Sequence, residues 1–274
     1  MVSWLSGRNE LEVLTLSGIR LSDLSFLNSM TKLVRLDVAE CGLTAFVGET
    51  SNLQAIADRY AKLRVLDMSN NDLRGYESEI LKLKNLSLLT VLYADNVCDS
   101  LDAYTLTYAM PELKYISLEN CGVSRTDWLA KYNELTYVDI AGGSMTNVDL
   151  MVDISNASAK TLEELYLETD KECSFGNAYR LADLNLKRLS LEGIGVGKIE
   201  NLPYLDAIEY LNLSRTGIQS LIGDDPELAG IFSISRYDTV SVIDVSHLET
   251  DISPLEELPG LETVYAVGAV NSML

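Results

Sequence analysis

One stretch near the start of the chain, Leu11 to Leu33, decides the fold. Its apolar residues are spaced as Leu11-x-x-Leu14-x-Leu16-x-x-Ile19-x-Leu21-x-x-Leu24-x-x-Leu27-x-x-Met30, and the same spacing begins again at Leu33. Leu14 and Leu16 alternate as in a β-strand with one buried face. The wider spacing of Leu21, Leu24, Leu27 and Met30 indicates a segment that leads the chain back to the start of the next strand, which we call the return segment. A unit this small buries its apolar side chains only by stacking on copies of itself.

Such copies fill the chain. The strand half of the pattern recurs at intervals of 21 to 32 residues. Counting the first, eleven repeats start at Leu11, Leu33, Leu63, Leu88, Leu113, Leu135, Leu162, Leu186, Ile208, Val240 and Leu261. We therefore predict eleven short parallel strands, centred near residues 14, 36, 66, 91, 116, 138, 165, 189, 211, 243 and 264.

This pattern resembles the leucine-rich-repeat superfamily across almost the whole chain. The phrases Leu21-Ser-Asp-Leu24-Ser-Phe-Leu27 and Asp251-Ile252-Ser-Pro-Leu255 resemble the 22-residue repeats of bacterial internalin-like proteins. The resemblance implies an α/β solenoid, a right-handed horseshoe with a parallel sheet on its concave side and 3₁₀ turns mixed with short helices on its convex side. Longer repeats have apolar residues at helical spacing, so we expect convex helices near 52–60, 100–109 and 225–232.

The repeat continues from one end of the chain to the other, which predicts a single domain of about eleven repeats over residues 1–274. Val2–Leu11 aligns with the return half of a repeat, and Leu261–Ala266 is a strand half. Neither end resembles a polar cap, although solenoids normally cover their ends. We expect either a segment of a longer protein or a complete chain with unusual caps. Uncapped ends would also permit end-to-end association.

The net charge limits the classes of molecule that the chain can bind. Lysine and arginine number 21 against 41 acidic residues, which gives a net charge of −20. This charge repels nucleic acids and anionic lipids and favours a basic protein partner. The alternative is that the acidic residues only keep a long solenoid soluble. No apolar run approaches the roughly 18 residues of a membrane span, and the first residues do not form a secretory signal.

The four cysteines, Cys41, Cys98, Cys121 and Cys173, have no metal-ligand spacing. Cys41 and Cys121 occupy the ninth repeat position three repeats apart, about 14 Å at strand spacing, which excludes a disulfide between them. The spacing also places Asn71 and Asn96 at this ninth position, where an asparagine side chain is expected to bond to neighbouring backbone. The buried thiols are expected to fill small gaps in the core.

A candidate binding face follows from the strands. Side chains at the third and fifth repeat positions flank the buried residue and should point to the concave side. Tyrosine supplies apolar area and a hydroxyl with little side-chain entropy, as binding hot spots require. The alternative is tyrosine stacking that only stiffens the sheet. The candidate partner-binding residues are Tyr115, Tyr137, Tyr166, Asp37, Asp67, Leu92, Asp139, Arg188 and Tyr210.

Asp37 and Asp67 should lie side by side on adjacent strands. Their spacing would permit glycoside hydrolysis or a cation, but an open sheet offers no pocket that excludes water, which favours an ordinary solvated or arginine-contacting pair. His247 is the only histidine and is expected at the surface. We predict a non-catalytic module without cofactor or metal that binds a protein partner on its concave sheet. Two settings stay open, a bacterial surface or secreted parent and an intracellular acidic scaffold or inhibitor.

Overall fold

A computed structural model describes residues 3–21, 24–44, 46–47, 50–59, 62–225, 227 and 231–269. The chain divides into two compact units, Met1–Ser124 and Arg125–Leu274. Each unit is a stack of repeats, and each is described separately below. The single domain over residues 1–274 stays a prediction.

The first unit is built on a parallel sheet. Its strands are β1 (Val13–Thr15), β2 (Arg35–Asp37), β3 (Phe46–Val47), β4 (Thr50–Ser51), β5 (Val65–Asp67), β6 (Val91–Tyr93) and β7 (Tyr115–Ser117), and its helices are α1 (Asn52–Arg59), α2 (Glu77–Ile80) and α3 (Ala103–Thr107). Strands β1, β2, β5, β6 and β7 pair in that order, all parallel, while β3 and β4 form a short antiparallel pair. The 3₁₀ helices are Ser3–Leu5, Ser25–Ser29 and Leu81–Asn85.

The second unit repeats this plan and adds a second small sheet. Its strands are β8 (Tyr137–Asp139), β9 (Asn147–Asp149), β10 (Glu164–Tyr166), β11 (Cys173–Gly176), β12 (Arg188–Ser190), β13 (Ile194–Gly195), β14 (Tyr210–Asn212), β15 (Val242–Asp244) and β16 (Thr263–Tyr265), with helix α4 (Leu150–Asp153). Strands β8, β10, β12, β14, β15 and β16 pair in that order, all parallel. The 3₁₀ helices are Asp127–Lys131, Ser158–Lys160, Ala178–Asp183, Ile199–Asn201, Ile234–Arg236 and Ser253–Glu257.

The core runs along the middle residues of these strands. Leu36, Leu66 and Leu92 lie in register on consecutive strands, and none of the three is exposed. In the second unit Leu165, Leu189 and Leu211 do the same. Alternation along a strand buries every second side chain. Ten of the eleven parallel strands are centred where they were predicted, and the predicted leucine-rich-repeat architecture is confirmed.

The predicted register of the fourth repeat was wrong by one residue. That repeat begins at Leu89, which is buried, and not at Leu88, which is 36% exposed. A slip of one residue moves every side chain of a strand to the opposite face. Leu92 is therefore a core residue and does not belong to the candidate binding face. Tyr93 takes its place, in register with Asp67 and Ser117.

The same slip misplaced Asn96, which holds the eighth repeat position together with Asn70 and Asn120. All three adopt a left-handed backbone at φ of 55–58°. Their side chains form a chain of hydrogen bonds, since Asn96 donates to Asn70 and Asn120 donates to Asn96, each at 3.0 Å. Asparagine tolerates this conformation better than most residues, and the bonds connect the turns of three consecutive repeats.

The ninth position keeps the role expected for asparagine. The Asn71 amide donates to the Val38 carbonyl at 2.9 Å. At the equivalent places the Cys41 and Cys121 thiols donate to the carbonyls of Leu16 and Ala94, at 3.1 and 3.0 Å. A thiol therefore replaces the amide as a weaker donor inside the core.

The return segments agree with the expected mixture of 3₁₀ and short helical structure. Helices α1 and α3 lie where helices were predicted, and Asp102 caps α3 by accepting from the Thr105 amide at 3.0 Å. The helix expected at 225–232 includes residues 226 and 228–230, which lie outside the described residues. The small parallel sheet of β9, β11 and β13 was not predicted.

Candidate functional site

The side of the main sheet opposite the core carries the third and fifth residues of each repeat. We call this side the open face. In the second unit its central part combines aromatic and charged groups on strands β8, β10, β12 and β14. The six residues that form this cluster are Tyr137, Asp139, Glu164, Tyr166, Arg188 and Tyr210.

Three tyrosine rings follow one another across this cluster. The ring centroids of Tyr137 and Tyr166 are 5.6 Å apart, and those of Tyr166 and Tyr210 are 6.5 Å apart. Both pairs are tilted, at 46° and 48°, and tilted contacts at these separations are favourable between aromatic rings. All three side chains are half-buried. They form a continuous aromatic surface that remains accessible to a partner.

Arg188 connects two of these tyrosines. Its guanidinium lies over the Tyr210 ring, 4.6 Å from the centroid, and its Nε donates to the Tyr166 hydroxyl at 2.8 Å. The Tyr166 hydroxyl in turn donates to Glu164 at 2.8 Å, and Glu164 lies 3.6 Å from the arginine Nε. A cation over an aromatic face is attractive, so the network fixes the orientation of both rings.

The environment of the tyrosine hydroxyls is partly desolvated and acidic. Burial raises the pKa of Tyr166 to about 12. Burial also raises the pKa of Tyr210, and the carboxylates of Glu168, Asp244 and Glu192 add to that shift. The hydroxyls therefore stay neutral near pH 7, and the carboxylates around Tyr210 favour an incoming positive charge.

Aspartates at the fifth repeat position also cap turns, a role that sequence reasoning missed. Asp139 accepts a hydrogen bond from the Ala141 amide at 2.9 Å, and Asp244 accepts one from Ser246 at 2.8 Å. Asn212 does the same for Ser214 at 2.9 Å. The signal in the sequence is Asp or Asn followed two residues later by Ala or Ser, and each such side chain caps the turn that ends its strand.

The first unit shows the same capping. Asp37 accepts from the Ala39 amide at 3.2 Å and Asp67 from the Ser69 amide at 3.0 Å. The two aspartates lie in register on β2 and β5, as predicted. Among the described residues there is no group of three or more metal-binding side chains. Both aspartates therefore cap the turns that end their strands.

Tyr115, the remaining candidate, contacts Tyr93 in the first unit, with ring centroids 4.9 Å apart. Sequence reasoning missed Tyr93 because of the register error in the fourth repeat. Tyr115 belongs to the first unit, so a binding face that includes it together with Tyr137 and Tyr166 stays a prediction. His247 is exposed, as predicted.

Comparison with known proteins agrees with the fold described above. A family model described as Leucine Rich Repeat matches residues 62–88. The chain has a leucine-rich-repeat fold. Among solved structures it resembles an internalin, inlF, from Listeria monocytogenes, at 16% identity and a TM-score of 0.56, over 93% of this chain and 80% of the internalin. A leucine-rich-repeat protein of Leptospira interrogans gives 18% identity and a TM-score of 0.57, over 96% and 80% of the two chains.

A plant receptor shares the repeat architecture. The ectodomain of the Arabidopsis thaliana membrane receptor kinase GASSHO1/SCHENGEN3 matches with a TM-score of 0.63 and 18% identity, over 88% of this chain. This chain spans only 31% of that ectodomain, whose structure is a complex with CASPARIAN STRIP INTEGRITY FACTOR 2. At these identities the likeness establishes the fold. No curated protein sequence matches the chain. None of the described helices is long and apolar enough to cross a membrane.

Proposed function

We propose that this chain is a non-catalytic protein-recognition module that binds its partner on the open face of the second unit. The observation that carries the proposal is the Tyr137–Tyr166–Tyr210 surface with Arg188 held between two of its rings. Rigid aromatic groups lose little side-chain entropy when a partner covers them, and interface hot spots are enriched in tyrosine and arginine. The partner complex of the Arabidopsis ectodomain supports a recognition role for such a fold.

The chemistry of the partner follows from the charges around the rings. Glu164 belongs to the cluster, and Glu168, Glu192 and Asp244 lie near it. Two basic side chains oppose these carboxylates: Arg188 within the cluster and Arg215, which lies 3.5 Å from Glu192. The hydroxyl of Tyr210 is therefore in a negative potential despite the nearby guanidinium. We infer a protein segment that carries a lysine or arginine beside an aromatic or branched apolar residue.

Selection from a random-sequence peptide display library tests the proposal, with the whole chain as bait. Enriched peptides should combine basic and aromatic residues and should lose at least ten-fold in affinity when Tyr166 and Tyr210 are both replaced by alanine. Tyr179→Ala is the matched control, because Tyr179 is a 59% exposed tyrosine of the same unit on the 3₁₀ helix Ala178–Asp183. Peptides that bind the double variant as well as they bind the native chain would refute the site.

Two cellular locations are proposed for this module. The likeness to a Listeria internalin supports a bacterial surface or secreted parent. The four cysteines are unpaired, which supports the alternative of an intracellular acidic scaffold or inhibitor, because secreted proteins usually oxidise theirs. Fractionation of the native cells with an antibody against the chain distinguishes the two settings.

End-to-end association is supported by the last described strand. Val264 is 43% exposed, whereas Ile243 at the same position of the preceding strand is fully buried. Sedimentation velocity over a range of protein concentrations tests this proposal. A sedimentation coefficient that stays constant would contradict it.

A further inference from the structure

Two of the four thiols come from consecutive repeats and contact each other inside the first unit. Cys98 follows β6 and is 1% exposed, and Cys121 follows β7 and is fully buried. The Cys98 thiol is hydrogen-bonded to the Cys121 sulfur, and the Cys121 thiol also lies 3.0 Å from the Ala94 carbonyl. Neither Cys41 nor Cys173 has a thiol neighbour among the contacts described for it.

The backbones that carry the two cysteines are pressed together. The Leu101 amide donates to the Cys121 carbonyl at 2.8 Å. A Cβ atom added to Gly122 would lie 1.9 Å from the Asp99 carbonyl oxygen, so no side chain separates the two segments here. A disulfide requires close backbone segments with neighbouring Cβ atoms, and the close approach of these two segments favours one between the two thiols.

We propose that Cys98 and Cys121 form an oxidative modification site, at which a peroxide converts the two thiols into a disulfide between consecutive repeats. Hydrogen peroxide is the oxidant that fits the site, because it is uncharged and little larger than water. It can reach buried thiols through the local openings that folded proteins undergo.

The reaction proceeds in two balanced steps. The Cys121 thiolate attacks one peroxide oxygen, the O–O bond breaks, and the released hydroxide takes up a proton to become water, which leaves a sulfenic acid on Cys121. The Cys98 sulfur then attacks that sulfenic sulfur. The S–O bond breaks, and the hydroxyl leaves as water with the Cys98 proton. In total two thiols lose two electrons and one peroxide yields two waters.

The hydrogen bond between the thiols determines which cysteine reacts with peroxide and which resolves the sulfenic acid. The hydrogen bond from Cys98 lowers the pKa of Cys121, whereas the same bond, together with burial, raises the pKa of Cys98. The thiolate is the nucleophile in such oxidations. Cys121 is therefore the thiol that meets peroxide first, and Cys98 resolves the sulfenic acid.

Treatment of the folded chain with hydrogen peroxide, followed by intact-mass analysis and digestion without reductant, tests the site. The mass should fall by about 2 Da, the two hydrogens lost in disulfide formation, and one crosslinked peptide should join Cys98 to Cys121. The melting temperature should rise on oxidation and return after a reductant is added. Cys41→Ser and Cys173→Ser are matched controls that should keep the full response.

Cys98→Ser removes the resolving thiol. It should abolish the mass loss and leave a sulfenic acid on Cys121 that dimedone traps, while far-ultraviolet circular dichroism confirms that the variant is folded. If the variant unfolds, the peptide map of the native chain decides alone. Oxygen addition without a crosslink in the native chain, or a crosslink through Cys41 or Cys173, would overturn the proposal.

Discussion

At the scale of single residues, the aspartates at the fifth repeat position lie on the open face and also accept hydrogen bonds from the backbone of the following turn. Asp67 accepts from the amide of Ser69, a buried residue. Asp67→Ala leaves that amide without its acceptor and should lower the free energy of unfolding by about 1–2 kcal/mol. Asp67→Asn should cost less, because the amide oxygen can still accept, as Asn212 does. Urea denaturation measures both, and equal losses would show that the cap contributes nothing.

A buried carboxyl gives a second prediction at this scale. Asp153 is 4% exposed, and burial raises its pKa, although Thr126 and the Asp149 amide donate to it. The folded chain therefore holds this proton more tightly than the unfolded chain, whose aspartates titrate near 3.9. The contribution to stability is complete below that value and is lost as pH rises through the folded pKa.

Asp153→Asn should remove this part of the pH dependence. Above about pH 4 the unfolding free energy of the native chain should fall more steeply with rising pH than that of the variant, until the folded carboxyl group has ionised. Urea titrations at a series of pH values give the two slopes. Parallel slopes would show that Asp153 titrates alike in the folded and unfolded chains.

At the scale of strands and turns, the residues buried at the fourth and sixth repeat positions should dominate stability, and Leu66 and Leu118 represent these two positions. Leu66 and Leu118 are both fully buried, and replacing either with alanine should cost about 2–5 kcal/mol, because the truncated side chain leaves a cavity. Val13→Ala is the surface control, since Val13 is 58% exposed. A small loss at Leu66 or Leu118, similar to that at Val13, would mean that the stack can relax around the cavity.

Alanine substitutions at two glycines distinguish the stability cost of a left-handed backbone from the cost of a steric clash. Gly18 and Gly122 both have positive φ, 74° and 61°, but nothing lies within 4 Å of a Cβ added to Gly18. Gly18→Ala should cost about 1–2 kcal/mol for its left-handed backbone alone. Gly122→Ala should cost clearly more, because its Cβ would collide with the Asp99 carbonyl. Equal midpoints in urea denaturation would contradict this difference.

The strands could be predicted from sequence because their period of two fixes which side chains are buried. The fourth repeat failed because Leu88 and Leu89 offer two registers that differ by one residue, and only contacts across the stack select Leu89. The chemical types on the open face were also predictable by position. The orientation of Arg188 over Tyr210, and its bond to Tyr166, depend on side-chain rotamers that no spacing specifies. The sheet of β9, β11 and β13 could not be predicted, because its strands Asn147–Asp149, Cys173–Gly176 and Ile194–Gly195 share no recurring apolar spacing.

At the scale of the whole molecule, the net charge of −20 should govern how fast a basic partner arrives, while the tyrosines govern how long it stays. Surface charges act over about 10 Å at 0.1 M salt and much less at 1 M, so the association rate of a selected basic peptide should fall as NaCl is raised. Glu168→Gln with Glu192→Gln should lower that rate at low salt, because both carboxylates lie near Tyr210.

Further variants test two points. The first is whether the association rate depends on the carboxylates near Tyr210 or on the total charge, and the second is whether charge and direct contact act on different rates. Glu256→Gln with Glu257→Gln also removes two carboxylates, from exposed sites on a 3₁₀ helix, and should leave the association rate nearly unchanged. Tyr166→Ala should raise the dissociation rate and leave the salt dependence intact, since affinity differences among variants of one interface arise mostly in dissociation. Surface plasmon resonance measures both rates. If the association rate is insensitive to salt, or falls as far in the Glu256→Gln, Glu257→Gln variant as in the Glu168→Gln, Glu192→Gln variant, the carboxylates around Tyr210 do not steer the partner.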